Sequence, residues 1–288
     1  MTEFILDNEP AVRLGIFLTV LILVAAWEAF SPRRVRAFSR WRRWPGNFGL
    51  VALNTVVVKL LFPVAAVGMA VYAQEHGWGL FNAIEVPGAL AVVATVVALD
   101  LIIYLQHVMV HAVPALWRLH RMHHADLDFD VTTGARFHPI EIVLSMVIKL
   151  AAVVVLGAPP VAVVIFEVVL NATAMFNHGN LRLPAGVDRV LRLIVVTPDM
   201  HRVHHSVDPT ETNSNFGFNL PWWDRLLGTY RAQPAAGHEG MTIGIEQFRE
   251  AGDLRLDRML VQPFRGRPGN YPINRAGRDG DSGRPDRS

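Results

Sequence analysis

"HRMHH" at 120–124 and "HRVHH" at 201–205 carry histidines at the same three positions of two pentads, 76 mostly apolar residues apart. Residues three and four apart share a helical face, so each pentad aims up to three imidazoles at one point. His107 and His111 form a further H-x3-H pair, and His178 stands alone between the pentads. Ten of the twelve histidines fall between 107 and 205. One histidine on an apolar face is usually a core residue with a satisfied hydrogen bond. Three groups at ligand spacing read instead as metal ligands.

The surroundings of these groups are greasy. Hydrophobic residues make up 51% of the 288 residues and charged ones 18%, with a mean hydropathy of +0.29. So little charge does not cover a soluble surface, which points to a membrane protein. A formal charge of +2, with no basic stripe interleaved with aromatics, argues against nucleic acid as a partner. Cysteine is absent, which removes disulfides, thiolate zinc sites, iron–sulfur clusters and cysteine nucleophiles. Any metal must be held by nitrogen and oxygen.

Residues 11–30 read as a retained membrane helix, not a signal peptide. The loop after it carries Arg33, Arg34, Arg36, Arg40, Arg42 and Arg43, whereas Glu3, Asp7 and Glu9 precede it. The positive-inside rule therefore predicts a cytoplasmic loop and an external N-terminus. Residues 48–73, interrupted by Lys59 and Pro63, read as one tilted span. An interfacial helix followed by a short span is the alternative, because lysine at mid-membrane is costly. Residues 74–86 read as an outer loop and 87–106 as a third span. The apolar segments 141–157 and 161–177, joined by "GAPP", read as a helical hairpin. In this topology all nine motif histidines reach the membrane face of the arginine loop. The expected fold is all-α, with four or five membrane helices under a cytoplasmic histidine-rich cap.

Nine imidazoles are too many for one ion and suit two. Imidazole suits iron, copper and zinc. Hydrolysis needs a Lewis acid and water, whereas attack on an unactivated C–H bond needs a redox metal and dioxygen. Asp100, Tyr104, His107 and His111 share one helical stripe, and Asp100 is expected to accept the second ring N–H of His107. Glu167, Asn171 and His178 form a matching stripe, and a carboxylate within a span is a functional candidate. For Asp100 and Glu167 the plainer reading is pairing with arginines near the interface. Asn180 is read either as a partner of a ligand or bound water, or as a loop former. Asp199 is placed as a helix cap. Trp222, Trp223 and Tyr230 are read as anchors of the cap at the lipid interface rather than as a stacking surface. His76, His238 and "GHEGM" at 237–241 receive no role.

At these residues the chain resembles the fatty acid hydroxylase / sterol desaturase superfamily, on its bacterial, alkylglycerol monooxygenase-like side. The resemblance covers about 95–231 and rests on "DLIIYLQHVMVH" (100–111), "LWRLHRMHH" (116–124), "RFHPIE" (136–141), "FNHGN" (176–180), "TPDMHRVHH" (197–205) and "NSNFGFNLPWWDRLLGTY" (213–230). It implies a dimetal centre, functionally two irons, ligated by His107, His111, His120, His123, His124, His178, His201, His204 and His205. It also implies O2 as co-substrate, a membrane lipid substrate that is hydroxylated or desaturated, and electrons from a separate carrier protein, since no cytochrome b5 domain is recognised. His138 is either a residue behind the ligands or a structural core histidine. The expected organisation is membrane helices with the arginine loop (1–94), the catalytic domain that the resemblance implies (95–231), a cap extension (232–264) and a tail (265–288) whose Gly, Arg, Pro and Asp content reads as disordered. The implied location is a bacterial plasma or inner membrane, with the site on the cytoplasmic face. Two rival readings are a dizinc hydrolase of lipid esters and a metal transporter, whose histidines would sit near the midplane.

Overall fold

In the computed structural model, which describes residues 2–274, the chain is helical, and among the described residues only isolated bridges pair Pro32 with Leu181 and Ser206 with Ile243. After a short α1 (Thr2–Asp7), helix α2 (Glu9–Phe30) carries Pro near its start, where a missing N–H costs nothing. Its 22 residues rise about 33 Å, enough to cross a bilayer core. Leu14, Leu18, Ile22 and Leu23 are exposed, as a lipid-facing stripe should be. Near its end Glu28 is fully buried and accepts hydrogen bonds from the Val131 and Asn180 N–H groups at 2.7 and 2.9 Å, and from Arg40 at 2.9 Å. That contact ties α2 to the cap.

Helix α3 (Arg40–Leu61) begins inside the arginine segment and stops before Pro63, whose ring removes a donor and disfavours continuation. The chain resumes as α4 (Ala66–Glu75) and the single turn α5 (Leu80–Ala83). The stretch 48–73, expected as one tilted span, lies within a region that counts as one candidate span, Arg40–Ala83, but its helix starts earlier, at Arg40, and is broken at the proline. Lys59 lies in the last turn of α3 and is exposed. It sits about 28 Å along the helix from Arg40, so the lysine belongs to the far end of α3.

Helix α6 (Gly88–Ala112) returns to the starting end, and α7 (Pro114–His124) turns off it at Pro114. Helices α8 (Pro139–Leu156) and α9 (Pro160–Asn177) form the expected hairpin. Its turn needs a glycine: Gly157 has φ +62°, and a Cβ there would lie 2.8 Å from the Trp78 carbonyl. The described residues contain five helical stretches long and apolar enough to cross a membrane, with α3 to α5 counted as one. It is an integral membrane protein. Ala66, Ala70, Val153, Ala158 and Val163 pack α4 against the closed end of the hairpin.

The cap is built from short helices: α10 (Ala185–Leu191), α11 (Pro198–His204), α12 (Pro209–Thr212), α13 (Trp222–Leu226), α14 (Gly237–Gly240) and α15 (Leu256–Val261). Buried Arg43 of α3 reaches Asp126 at 2.7 Å and Asp130 at 2.5 Å, just past the first pentad. The arginine segment and the histidines therefore sit at the same end of the helices. Met259 of α15 packs on Leu50 and Met122. The stretch from 265 to 274, expected to be disordered, is a strap. Tyr271 stacks on Trp117 at 5.2 Å, Trp117 Nε1 donates to the Pro268 carbonyl at 3.0 Å, and Ile273 N–H donates to the His111 carbonyl at 3.0 Å. Two aromatic anchors outweigh the glycine-rich composition here. The rest of the expected tail, 275–288, lies outside the described residues.

Candidate metal centre

Four structural pieces bring nine histidines together. The last turns of α6 present His107 and His111. Helix α7 presents His120, His123 and His124, α11 presents His201 and His204, and His178 and His205 sit at the C-terminal ends of α9 and α11. All nine are buried. They fall into two groups: His107, His111, His120, His124 and His204, and His123, His178, His201 and His205. Within each group one nitrogen per residue lies within 4.8 Å of all the others. Metal–imidazole bonds of roughly 2.0–2.1 Å place opposite ligand nitrogens about 4.2 Å apart, so a small contraction around an ion suffices. The groups adjoin, since the rings of His124 and His205 stack across the boundary at 4.6 Å.

The direction of the lone pairs follows from the outer hydrogen bonds. His107, His178 and His204 each place Nδ1 2.7 Å from a main-chain carbonyl: Phe216, Ala174 and Ser214 respectively. A carbonyl only accepts, so each Nδ1 carries the proton and each Nε2 is a bare acceptor. His111 Nδ1 lies 3.1 Å from Asn213 Oδ1, and the Asn213 amide is fixed by donating to the Tyr271 carbonyl at 2.6 Å. His120 Nδ1 lies 2.6 Å from Glu141 Oε1. Nε2 of His107 and Nε2 of His120 then face each other at 3.2 Å, and Nε2 of His178 faces those of His201 and His123 at 3.0 and 3.3 Å. The lone pairs of His107 and His120, so aimed, repel unless a cation lies between them, and imidazoles held in one tautomer by outer acceptors are the usual form of a metal site. Burial, and then neighbouring imidazoles, push the pKa values of His123, His124, His201, His204 and His205 well below the ordinary value. Burial also lowers that of His178, to about 4. These rings are neutral, which is the ligating form. The residues present fit two nitrogen-ligated ions.

Several expected supporting residues have other partners. Asp100 does not touch His107. Its Oδ2 accepts from Trp223 Nε1 at 2.8 Å and from the Leu220 N–H at 3.3 Å. The ring of Trp223 is thus an anchor for a loop, not a stacking surface, and Trp222 likewise donates to the Leu193 carbonyl. Tyr230 lies under the Arg225 guanidinium at 4.0 Å. Glu167 pairs with Lys149 at 2.7 Å and Arg13 at 3.0 Å, joining α2, α8 and α9 within the membrane, and Asn171 bonds back to the Glu167 carbonyl. The plainer ion-pair reading holds for Glu167, though a lysine supplies one partner. Asn180 exchanges hydrogen bonds with the main chain of Arg34. His138 caps α8 by accepting from the Ile140 N–H, so of its two readings the structural one applies. The cap of α11 is Thr197; Asp199 instead pairs with Arg202 and Arg33.

The residues that do stand behind the imidazoles are Glu141, Asn213 and the carbonyls of Ala174, Ser214 and Phe216. Glu141 closes "RFHPIE" and Asn213 opens "NSNFGF", so both lie in motifs already singled out. Main-chain carbonyls leave no mark in a sequence. Segment 213–224 is the platform for three of the nine histidines. Asp224, fully buried, accepts from the N–H groups of Phe216 and Gly217 at 2.8 and 2.9 Å and from Thr229 Oγ1 at 2.7 Å. It sets the Phe216 carbonyl against His107. On the membrane side, Phe218 lies 4.9 Å from the His107 ring and belongs to an apolar cluster with Leu99, Ile103, Ala152, Phe166 and Ala174. Phe137, packed on the same cluster, stacks on His123 at 4.5 Å. The floor of the centre is therefore hydrocarbon-like and borders the packing of α6, α8 and α9.

Comparison with known proteins bears on the same region. Residues 92–229 match the model of the fatty acid hydroxylase family. That match covers 138 of the 288 residues and takes in all nine histidines of the two groups. It is 28% identical over 262 residues to the ornithine lipid hydroxylase OlsE of Rhizobium tropici, covering 86% of this chain and 74% of that protein. It is 29% identical over 205 residues to the alkylglycerol monooxygenase of Xenopus tropicalis, covering 70% of this chain but 45% of that longer protein. The cholesterol 25-hydroxylase of Rattus norvegicus is 24% identical over 155 residues, 54% of this chain and 50% of that protein. No solved structure gives a significant match.

Proposed function

We propose that the protein is an O2-dependent lipid oxidoreductase with a diiron centre held by the nine histidines, hydroxylating or desaturating a C–H bond of a membrane lipid. The observation that carries this reading is the pair of adjoining, buried, all-imidazole groups above an apolar floor, inside the region that matches the fatty acid hydroxylase family. His107, His111, His120, His124 and His204 would hold one ion, and His123, His178, His201 and His205 the other. Two redox ions supply the capacity to reduce dioxygen and oxidise an unactivated C–H bond. The chain's own part is to hold the ligands in one tautomer, keep bulk water from the buried groups, and admit a hydrocarbon chain from the α6, α8 and α9 side. Placing the reacting carbon is an entropic contribution that rigid packing can supply. Electrons come from a separate carrier protein, and the centre faces the cytoplasm of a bacterial plasma membrane, as the arginines of 31–44 favour. The related proteins are named for lipid hydroxylation or monooxygenation, which favours this reading over a dizinc hydrolase. The clustering of the histidines at one end of the helices, rather than along a route through them, counts against transport.

The test combines metal analysis with lipid mass spectrometry. About two irons per chain are expected, with His204→Ala and His123→Ala each depleting iron and activity. Cells expressing the protein should gain lipids heavier by one oxygen or lighter by two hydrogens. Zinc in place of iron, with ester cleavage and no oxidised lipid, would overturn the proposal.

A further inference from the structure

A cavity of about 550 Å³ opens at the edge of the cap, and none of the nine histidines lines it. That volume lies within the range of small-molecule sites, roughly 300–1,000 Å³. Four guanidiniums line it: Arg33, Arg182, Arg189 and Arg192. They come from the arginine segment, from the stretch after α9, and from α10 and its end, so the cavity exists only in the folded chain.

Donors exceed acceptors in this cavity. Arg33 is held by Asp199 at 3.3 Å and Glu239 at 2.9 Å, while among the described residues the Arg182 guanidinium reaches only Glu239, at 3.5 Å. Glu239 is 70% exposed, and exposed ion pairs of this kind contribute little. Arg189 is exposed and, among the described residues, pairs with no carboxylate. Arg192 is buried and paired with Asp188, yet its Nε has no hydrogen-bond acceptor. His238, only 4% exposed, makes no hydrogen bond through either ring nitrogen, its nearest acidic neighbour being Asp199 Oδ2 at 3.5 Å. Buried donors without acceptors are costly, and planar guanidiniums match the oxygens of a phosphate or carboxylate.

The outer wall says where such an anion comes from. Helix α10 has seven residues, too few to span, yet Val187 and Val190 are exposed, as are Leu193 and Ile194 after it. Trp222, also exposed, donates to the Leu193 carbonyl at 2.7 Å and adds its ring to the same face. An exposed apolar strip with a tryptophan, backed by arginines, is the pattern of a segment lying in the bilayer interface. The cavity then sits at headgroup level.

We propose that this cavity binds the oxyanion, phosphate or carboxylate, of a membrane lipid headgroup, with Arg182 and Arg189 as entry contacts and Glu239 displaced on binding. The site is independent of the metals proposed above. The experiment uses the full chain in neutral detergent with three probes: short-chain phosphatidylglycerol, the matching diacylglycerol without a phosphate, and inorganic phosphate. Phosphatidylglycerol should bind, diacylglycerol should bind at least tenfold more weakly, and Arg182→Gln with Arg189→Gln should weaken phosphatidylglycerol at least tenfold without changing melting temperature or iron content. Glu239→Gln should tighten it. Equal binding of phosphatidylglycerol by the wild type and the double variant, or of diacylglycerol and phosphatidylglycerol by the wild type, would overturn the site. Inorganic phosphate binding as tightly as phosphatidylglycerol would sustain the oxyanion site and overturn its lipid source.

Discussion

Glu141 Oε1 lies 2.6 Å from His120 Nδ1, across the gap between α7 and α8. The other four anchored imidazoles bond to neutral oxygens, so His120 is the one backed by a carboxylate. A carboxylate acceptor makes the far ring nitrogen a stronger donor to a metal. Glu141→Gln keeps the shape and the hydrogen bond but removes the charge. We expect a folded protein whose metal affinity falls roughly 10–100-fold. Iron per folded chain after dialysis against a graded chelator series reads this directly, and wild-type retention would show that His120 needs no charged support.

Asp100 acts at one remove. It holds Leu220 and Trp223, and the same loop offers the Phe216 carbonyl to His107. Both donors meet Oδ2, so Asp100→Asn, with its amide oxygen in that place, should keep near-normal iron. Asp100→Ala strands two partly buried donors, at up to about 1–3 kcal/mol each, and should lower melting temperature and iron together. If Asp100→Asn alone stripped iron from a fully stable protein, the indirect route would be refuted in favour of a direct bond to His107.

Gly134 lies against the second group. A Cβ there would stand 2.7 Å from the Ala174 carbonyl and 3.0 Å from His178 Nδ1, the two atoms of the bond that orients His178. Gly134→Ala must therefore push His178 or the end of α9. The expected result is loss of about one metal per chain, with the group around His111 retained. Unchanged iron stoichiometry would mean that the cap shifts freely.

Acid should open the centre. Unfolded histidine takes a proton near 6.5, whereas buried His178 resists until about 4. Between those values the unfolded chain binds more protons, so stability is full above about 6.5 and falls as pH drops toward 4. Chelator-stripped protein should melt at a clearly lower temperature at pH 5 than at pH 7.5. A melting temperature that stays flat over that interval would contradict the neutral, buried state of these rings.

The sequence by itself determined the helical class, the hairpin of α8 and α9 and the positions of all nine histidines. Spans and histidine spacing are local: a run of apolar residues must bury its backbone in helix, and 3.6 residues per turn decide which side chains share a face. It did not determine which histidine belongs to which group, because His204 joins α6 and α7 while His201 joins α7 and α9, although both stand on one turn of α11. It also misjudged what stands behind the ligands. Asp100 and Glu167 attract attention as carboxylates in apolar helices, but their partners, Trp223 and Leu220 for one and Lys149 and Arg13 for the other, come from distant segments. The atoms that orient His107, His178 and His204 are main-chain carbonyls, which every residue possesses. Only tertiary packing chooses among them, since a buried ring N–H bonds to whichever acceptor the fold brings within about 3 Å.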